Sequence, residues 1–380
     1  MKLGIIVNPI AGLGGPLGLG GSDGLSWLAE QGVKGPSYKR AVSYLSFLRE
    51  AFISKEEGLV EIFAGEGLYG HQSLAEAHIE PDVIVECRSG ANLCSRELSD
   101  KMADEGVDLI IFFGGDGTAF DVALGSNNRV PIVGVPAGTK MYNPVFVLSE
   151  HHLLELLSLF IEGETEIVEK EVFLVNEELL QKGVYKIIDK TTCKTVHSER
   201  KMFFQDSKDF ASTIDEEELM GIAKFLEEEY GFPLKGTWII GPGRTLQKIA
   251  GFYGFTKGFL GFMGITDGKV VCHPCSSSDL ARILTEKEDA RILLSPIGGS
   301  GFLVGRGNKE LTPRVLRLIG DKSRILIVST KDKLRRIKHM LVDTGDAFTD
   351  SMLEGYTRVI VGYYEEMVAK VLSSSKTDKN

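Results

Sequence analysis

The sequence predicts a two-domain α/β protein whose N-terminal domain is a doubly wound parallel sheet. Short apolar runs alternate with segments of helical spacing through the first 165 residues, which is the pattern of repeated β-α units. The run 109–113 is continuously apolar, as expected of a strand buried on both faces. Glycine-rich stretches follow several of these runs, at the strand ends where such sheets bind ligands.

The elements of the N-terminal domain follow from these patterns in order. Strands are predicted at residues 2–8, 59–64, 83–85, 109–113 and 131–136. Helices are predicted at residues 38–52, 68–77, 92–105, 119–124 and 151–163. Asp116 or Thr118 is available to cap the fourth of these helices.

A charged stretch at 164–170 predicts a domain boundary. We therefore expect an N-terminal domain at 1–165, a C-terminal domain at 166–372 and a polar tail at 373–380. The C-terminal domain is expected to be mixed α/β or β-rich. Its predicted strands include 238–240, 269–272, 291–295, 324–329 and 359–362, with helices at 216–230 and 279–284 and a short helix after the last strand.

Composition narrows the class of partner. Lysine and arginine number 43 against 53 aspartate and glutamate residues, a net charge of −10. This charge disfavours nucleic acid and anionic membranes, so an anionic substrate needs local basic residues or a metal. Glycine makes up 44 of 380 residues, well above the usual ~7%, as expected where backbone approaches a ligand.

The cysteines predict neither a disulfide framework nor a metal site. They are five in number and unevenly spread. Cys272 and Cys275 form half of a zinc motif, but no matching second pair exists, so buried thiols are the preferred interpretation. Neither a leader peptide nor a membrane-spanning run is evident, and a cytoplasmic protein is expected.

The stretch after strand 109–113 carries the clearest chemistry. Gly114-Gly115-Asp116-Gly117-Thr118 joins a buried strand to a helix through a glycine turn. Such a turn points backbone N–H groups at one spot, which suits a phosphate. A carboxylate would repel that phosphate unless a metal or a substrate hydroxyl lies between them, so Asp116 indicates phosphoryl transfer.

An ordered set of motifs resembles the prokaryotic ATP-NAD-kinase-like family. Its five-residue signature, 114–118, is similar to that of the superfamily of NAD kinases, lipid kinases and 6-phosphofructokinases. The further motifs, in chain order, are residues 4–12, 136–142, 240–245, 295–302, 305–308 and 342–346. Together they extend the resemblance over nearly the whole chain.

The resemblance implies an NAD-kinase-like fold with the active site between two domains. It implies transfer of the γ-phosphoryl group of ATP, or of polyphosphate, to the adenosine ribose 2′-hydroxyl of NAD. Mg²⁺ or another divalent cation is implied, as is a homo-oligomer. Asp116 would be the catalytic residue, activating the hydroxyl or holding Mg²⁺.

The resemblance also assigns binding residues. Those for the nucleotide are Asn8, Gly12, Gly114, Gly115, Gly117, Thr118, Gly138, Thr139 and Lys140. Those for the substrate are Asn176, Glu177, Gly243, Arg244, Thr245, Arg306, Asp343 and Asp346. Plainer interpretations stay open for several of them: a strand end or helix cap for Asn176, a surface residue for Arg244, and an Asp-Gly turn around Asp343 and Asp346.

The chain departs from the family pattern at three positions. Basic residues are expected near Pro16 and Gly20, and arginine at Phe120. These departures favour a kinase of a different small hydroxylated acceptor as one alternative. A non-catalytic nucleotide-binding regulatory protein is the other, although such a protein gains little from Asp116.

Overall fold

The computed structural model describes residues 1–15, 24–50, 60–90, 93–137, 141–182, 184, 186–198, 204, 215–298 and 300–374. The described residues form two compact units. The first comprises residues 1–13, 24–174, 187–198 and 204, with gaps as above, and the second comprises 14–15, 175–186 and those from 215 on. The predicted domain boundary at 165 stays a prediction.

The first unit is a five-stranded, wholly parallel sheet in the order β3-β2-β1-β4-β5. Its strands are β1 Lys2–Val7, β2 Glu61–Gly65, β3 Val83–Val85, β4 Leu109–Gly114 and β5 Ile132–Pro136. Its helices are α1 Trp27–Glu30, α2 Pro36–Leu48, α3 His71–Glu76, α4 Cys94–Asp104, α5 Asp116–Ser126 and α6 Glu150–Ile161. A two-stranded sheet of β6 Glu166–Val175 and β7 Ile187–His197 follows.

Strand β4 explains why this sheet is covered on both faces. Its six residues are all buried. Leu109, Ile111 and Phe113 pack in one core with residues of α2, α3 and α6, whereas Ile110 and Phe112 pack in another with α4 and α5. Successive side chains of a strand point to opposite faces, so the predicted doubly wound α/β fold is confirmed.

The second unit contains two sheets. The first has the order β10-β9-β8-β11-β13, in which β8, β11 and β13 are parallel and β9 is antiparallel to both its neighbours. The second has the order β12-β14-β16-β15. The strands are β8 Thr237–Ile240, β9 Phe262–Thr266, β10 Lys269–Cys275, β11 Arg291–Leu294, β12 Phe302–Val304, β13 Ile325–Ile327, β14 Met340–Val342, β15 Gly355–Gly362 and β16 Glu365–Ser373.

Helices pack against both sheets of this unit, which is therefore mixed α/β, as predicted. They are α7 Glu177–Gln181, α8 Glu216–Tyr230, α9 Arg244–Gly251, α10 Ser277–Glu286, α11 Pro313–Ile319, α12 Lys331–Arg336 and α13 Ala347–Leu353. Residues of α8 and α9 share a core with Trp238 and Ile240 of β8. Residues of α10 and α11 share another with Ile292 and Leu294 of β11.

Two local predictions are wrong. The short helix expected after residue 362 is the strand β16, because this segment pairs with β15 along seven residue positions. Helix α5 begins at Asp116 with Gly115 as its N-cap, and no side chain caps it. Asp116 and Thr118 lie inside its first turn, where their side chains serve other contacts.

The interpretation of Cys272 and Cys275 as buried thiols is also wrong. Cys87 is bonded to Cys94, and Cys272 to Cys275. Cys193 is the one free cysteine; it is buried, and burial raises the pKa of its thiol to about 12. Both bridges are local, spanning 7 and 3 positions of sequence, so the fold places each pair together without any long-range framework.

Candidate functional site

The candidate site lies at the carboxyl ends of β1 and β4, two neighbouring parallel strands. The chain leaves β1 towards β2 on one side of this pair, and leaves β4 towards β5 on the other. The two connections diverge and leave a crevice, which is where open α/β sheets bind ligands. Asn8 follows β1 and Gly115 follows β4, so both predicted nucleotide-binding stretches border the crevice.

A hydrogen bond joins the two stretches across the crevice. The side-chain Nδ2 of Asn8 donates to Oγ1 of Thr118 over 2.9 Å. The backbone N–H of Asn8 donates to the carbonyl of Phe113, also over 2.9 Å. Thr118 is buried. The structure therefore brings together two residues that the sequence assigns to the nucleotide, although they are 110 positions apart in sequence.

The glycines of the loop differ in what surrounds them. A Cβ on Gly114 would lie 2.4 Å from Cβ and Oγ1 of Thr118, so the close packing of this threonine requires glycine. A Cβ on Gly117 would meet no atom within 4 Å, and Gly117 is exposed. Gly12 is buried, with a φ of +85° in the turn after Asn8. Of these glycines, Gly117 leaves room for a ligand to approach the backbone.

Asp116 is buried and its carboxylate is held by backbone and amide donors. Oδ1 accepts from the N–H of Tyr142 at 3.0 Å, from the N–H of Asn143 at 3.1 Å and from Nδ2 of Asn143 at 2.8 Å. Oδ2 accepts from the N–H of Tyr142 at 2.9 Å. The residue is also the first of α5, where the helix dipole favours negative charge. These contacts fix the carboxylate in one orientation.

Asn143 is a site residue that the sequence did not reveal. It is fully buried, and besides its bonds to Asp116 it exchanges two hydrogen bonds with the backbone of Phe173 in β6. It thereby ties the carboxylate to strand β6. The motif 136–142 ends one residue short of it. An Asn-Pro step at 143–144 was the available signal, but this pair is usually interpreted as a turn.

In the second unit, Asn176 caps a helix. Its side chain accepts from the N–H of Leu179 over 2.8 Å at the start of α7. This is the plainer of the two interpretations that the sequence left open. Glu177 is the first residue of that helix; its side chain lies outside the described structure. A contact of this pair with NAD stays a prediction.

Arg306 and Asp343 are brought together in the interior of the second unit. Nε of Arg306 lies 3.5 Å from Oδ2 of Asp343, and the two side chains are 2% and 6% exposed. The guanidinium also lies over the ring of Phe302, 3.9 Å from its centroid. A pair this buried stabilises the local packing; its predicted contact with substrate stays a prediction.

Asp346 caps α13. Its Oδ1 accepts from the backbone N–H and the hydroxyl of Thr349, at 2.7 and 2.6 Å. These bonds hold the pKa of its carboxyl below the ordinary value, with a smaller contribution from Arg317. Asp343 and Asp346 therefore contact different partners.

Gly243, Arg244 and Thr245 connect β8 to α9. Gly243 is the N-cap of α9 and has a φ of +111°, which favours glycine. Thr245 is buried, and its hydroxyl accepts from Nζ of Lys333 over 3.0 Å. Lys333 also donates to Oγ of Ser295 over 2.6 Å. The sequence did not single out Lys333 or Ser295 individually.

Comparison with known proteins agrees with this geometry. Residues 3–165 match the ATP-NAD kinase N-terminal domain, and residues 237–371 match the ATP-NAD kinase C-terminal domain. The chain belongs to the ATP-NAD kinase family. Membership supports a kinase that acts on NAD. No curated protein matches the chain.

Pro16 and Gly20 lie outside the described residues of this ATP-NAD kinase family member. They are two of the three positions that depart from the family pattern. The predicted nucleotide-binding residues Gly138, Thr139 and Lys140 also lie outside the described residues. Phe120, the third departure, is buried in the core with α4 and β4. An arginine there would have to enter that core, so the phenylalanine serves packing in this kinase.

The sequence suggested Asp116 as a ligand of Mg²⁺. Over the part of the chain that the structure describes, no group of three or more histidine, cysteine, aspartate or glutamate residues could hold a metal. Asp116 already accepts four hydrogen bonds from three N–H groups. Mg²⁺ is usually bound through one or two carboxylates together with substrate phosphates, so a contact of Asp116 with Mg²⁺ stays a prediction.

None of the described helices is long and apolar enough to cross a membrane.

Proposed function

We propose that this kinase transfers the γ-phosphoryl group of ATP to the 2′-hydroxyl of the adenosine ribose of NAD, giving NADP and ADP. Inorganic polyphosphate is a second donor to be tested. The observation that carries the proposal is the position of Asp116. Asp116 places a buried carboxylate at the first residue of a helix, directly after a glycine turn, at the point where the chain diverges from β1 and β4.

The loop would hold the phosphates of the donor. Gly117 presents open backbone, and the N–H groups of Gly114, Gly115 and Thr118 surround the same turn. The Asn8–Thr118 hydrogen bond would keep the two walls of the crevice at a fixed spacing. Donors that are already in place need no reorganisation when charge develops on the transferred group. Lys140, with Gly138 and Thr139, is proposed to add charge and donors there.

Asp116 would act on the accepting hydroxyl. The 2′-oxygen forms a bond to the γ-phosphorus while the bond from that phosphorus to the β,γ-bridging oxygen breaks, and ADP leaves with the electron pair. The hydroxyl proton passes to Oδ2 of Asp116, the oxygen that accepts fewer of the four N–H bonds. Tyr142 and Asn143 would then be positioning residues that aim the carboxylate.

The second unit is proposed to supply the substrate contacts. Gly243, Arg244 and Thr245 remain the strongest candidates. They follow the end of strand β8, and Gly243 and Arg244 are only partly buried. Asn176, Glu177 and Asp346 would act at the ends of α7 and α13. Arg306 and Asp343 would act through the loop that they stabilise. A cytoplasmic homo-oligomer is part of the same proposal.

The test is formation of NADP by the purified protein. ATP or polyphosphate is supplied with NAD and a divalent cation, and NADP is followed with time. NADP formed from ATP supports the proposal. If NADP does not form, but other hydroxylated compounds are phosphorylated, the proposed acceptor is wrong. If the protein binds ATP without phosphorylating anything in such a panel, it is a nucleotide-binding protein.

A further inference from the structure

Residues 272–275 form the end of strand β10 and contain two cysteines that are bonded to each other. Strand β10 lies at the edge of its sheet, with β9 as its neighbour. The pairing of the two strands shifts its register on both sides of Cys272. No further strand of the described chain covers this edge, so the disulfide of the second unit lies where a small molecule can approach it.

The two bonded cysteines differ in exposure. Cys272 is partly exposed, whereas Cys275 is fully buried. Cys275 packs in the same core as Leu280 and Ile283 of helix α10. The two residues between the cysteines are exposed. A nucleophile from solution therefore meets Cys272 first, and the sulfur of Cys275 becomes the leaving group.

The spacing of this disulfide favours its reduction and re-formation. The bond spans 3 positions of sequence, and a bridge across so short a loop restricts the unfolded chain less than a long-range bridge does. In a Cys-x-x-Cys pair the pKa of a thiol is often lowered, which makes that thiol reactive. A buried cysteine in its thiol form packs as a small apolar residue. Cys275 can therefore keep its place in the core after reduction.

Lys257 provides a cation next to this disulfide. The residue is 2% exposed, and its Nζ donates to the carbonyl oxygen of Gly261 over 3.0 Å. Gly261 lies against residues 272–275, because a Cβ there would come within 3.0 Å of Cβ of Pro274. The next residue, Phe262, pairs with Cys275. The ammonium group is therefore held by the backbone that runs beside Cys275.

The charges around the disulfide support a thiolate at this place, since a neighbouring cation lowers the pKa of a thiol. The charge of Lys257 reaches residues 272–275, because it adds to the effect of burial in lowering the pKa of His273. Burial raises the pKa of Glu310, the carboxyl group that acts on Lys257, to about 7. Burial also lowers the pKa of Lys257 to about 7, which lets its ammonium pass a proton to a newly formed thiolate.

We propose that Cys272–Cys275 is a redox-active site that exchanges with a low-molecular-weight thiol, and that Lys257 stabilises the thiolate released at Cys275. The thiolate of the small molecule forms a bond to Sγ of Cys272 while the bond between the two cysteine sulfurs breaks, and the electron pair leaves on Sγ of Cys275. A second thiolate attacks the small molecule's sulfur in this mixed disulfide and releases Cys272. Two thiols are thereby oxidised to one disulfide, and their two protons pass to the cysteines.

The test is incubation of the whole chain at neutral pH with glutathione and glutathione disulfide over a series of ratios. This chemistry involves neither ATP nor NAD, so its outcome does not depend on the phosphoryl transfer proposed above. Samples are quenched in acid, free thiols are alkylated, and peptide mass spectrometry measures the oxidised fraction of each bridge. We expect Cys272–Cys275 to open as glutathione increases and to re-form as glutathione disulfide increases. A bridge that stays closed in excess glutathione, as structural disulfides do, or that is absent at every ratio, would overturn the proposal.

Lys257→Met tests the role of the cation. We expect the rate at which Cys272–Cys275 opens to fall by about tenfold, while the rate for Cys87–Cys94 in the first unit is unchanged. Lys269→Met changes an exposed lysine on the same strand; it is the matched control and should open at the wild-type rate. Equal rates in wild type and Lys257→Met, or equal losses at both bridges, would overturn the role of Lys257.

The order of attack is tested with Cys275→Ser and Cys272→Ser, which also give an answer if Lys257→Met does not fold. In glutathione disulfide, Cys275→Ser should acquire glutathione at Cys272, whereas Cys272→Ser should leave the buried Cys275 unmodified. Thermal unfolding shows whether each variant is folded. Cys275 modified as fast as Cys272, or no modification of either, would contradict the proposed exchange.

Discussion

Arg306 and Asp343 form a buried ion pair, at 2% and 6% exposure, beside the ring of Phe302. The sequence predicts that both bind substrate, and that contact stays a prediction. Removing one partner of a buried pair leaves an uncompensated charge in the interior. The spacing along the sequence could not reveal this, because it does not show which loops the fold covers.

Arg306→Leu should therefore destabilise the protein by about 3–5 kcal/mol. The measurement is urea unfolding, with Arg336→Leu as the control, since Arg336 pairs with Asp332 on an exposed helix. Exposed pairs contribute little, and the control should unfold nearly as wild type does. If Arg306→Leu also unfolds as wild type does while the KM for NAD rises, then Arg306 is a substrate contact instead.

Lys257 and Glu310 are a second pair of buried ionisable residues. Nζ of Lys257 donates to the carbonyls of Gly258 and Gly261. Burial lowers the pKa of Lys257 to about 7, although the charge of Glu310 opposes the shift. Burial likewise raises the pKa of Glu310 to about 7, with Lys257 opposing. Burial therefore disfavours the charged form of each group in the folded state.

The pair should give the unfolding free energy a minimum near pH 7. From pH 4.5 to 7, folded Glu310 retains a proton that the unfolded chain releases, so stability falls as pH rises. From pH 7 to 10.5, the unfolded chain retains the proton on Lys257 that the folded protein has lost, so stability rises. The check is urea unfolding of wild type and of the double variant Lys257→Met/Glu310→Gln, measured between pH 4.5 and pH 10.5. A difference between them that does not vary with pH would contradict it.

At the scale of elements, the turn between β4 and α5 contains two glycines with opposite requirements. Gly114 lies against Thr118, where a Cβ would come within 2.4 Å, whereas Gly117 faces open space. The sequence predicts this strand, turn and helix well, because a fully apolar run and consecutive glycines are strong local signals. It cannot show which glycine is needed for packing and which for approach of a ligand.

Gly114→Ala should lower the melting temperature, because the new methyl group would displace Thr118 from Asn8. Gly117→Ala should leave it unchanged or raise it, since alanine is favoured over glycine inside a helix by about 1 kcal/mol. In a titration with ATP, Gly117→Ala should nevertheless weaken binding, because the methyl group would occupy the open side of the loop. Unaltered ATP affinity in a folded Gly117→Ala would show that the nucleotide does not approach there.

Elements decided by pairing between strands were harder to predict. Residues 365–373 form β16 because β15 is available as a partner, and no local pattern shows that. The cap of α5 and the role of Asn143 depend in the same way on contacts made by the fold. The two local disulfides, Cys87–Cys94 and Cys272–Cys275, were missed because counting cysteines does not locate them.

At the scale of the whole molecule, each unit places polar side chains after the carboxyl ends of neighbouring parallel strands. Asn8 and Thr118 meet in the first unit, and Thr245, Ser295 and Lys333 meet in the second. The sequence indicated both places through glycine-rich stretches after apolar runs. It assigned Asn8, Thr118 and Thr245, but it did not single out Ser295. It could not identify Lys333, which follows a different strand and has no motif around it.

The measurement that tests the central claim most directly compares Asp116→Asn with wild type for NADP formation from ATP and NAD. Asp104→Asn, an exposed partner of Arg129, is the matched control. We expect Asp116→Asn to lose about 100-fold or more in rate, the contribution of a general base, while unfolding near the wild-type temperature and while Asp104→Asn keeps its activity. Folded Asp116→Asn that forms NADP at the wild-type rate would contradict the claim and leave Asp116 as an anchor for the loop at 142–143.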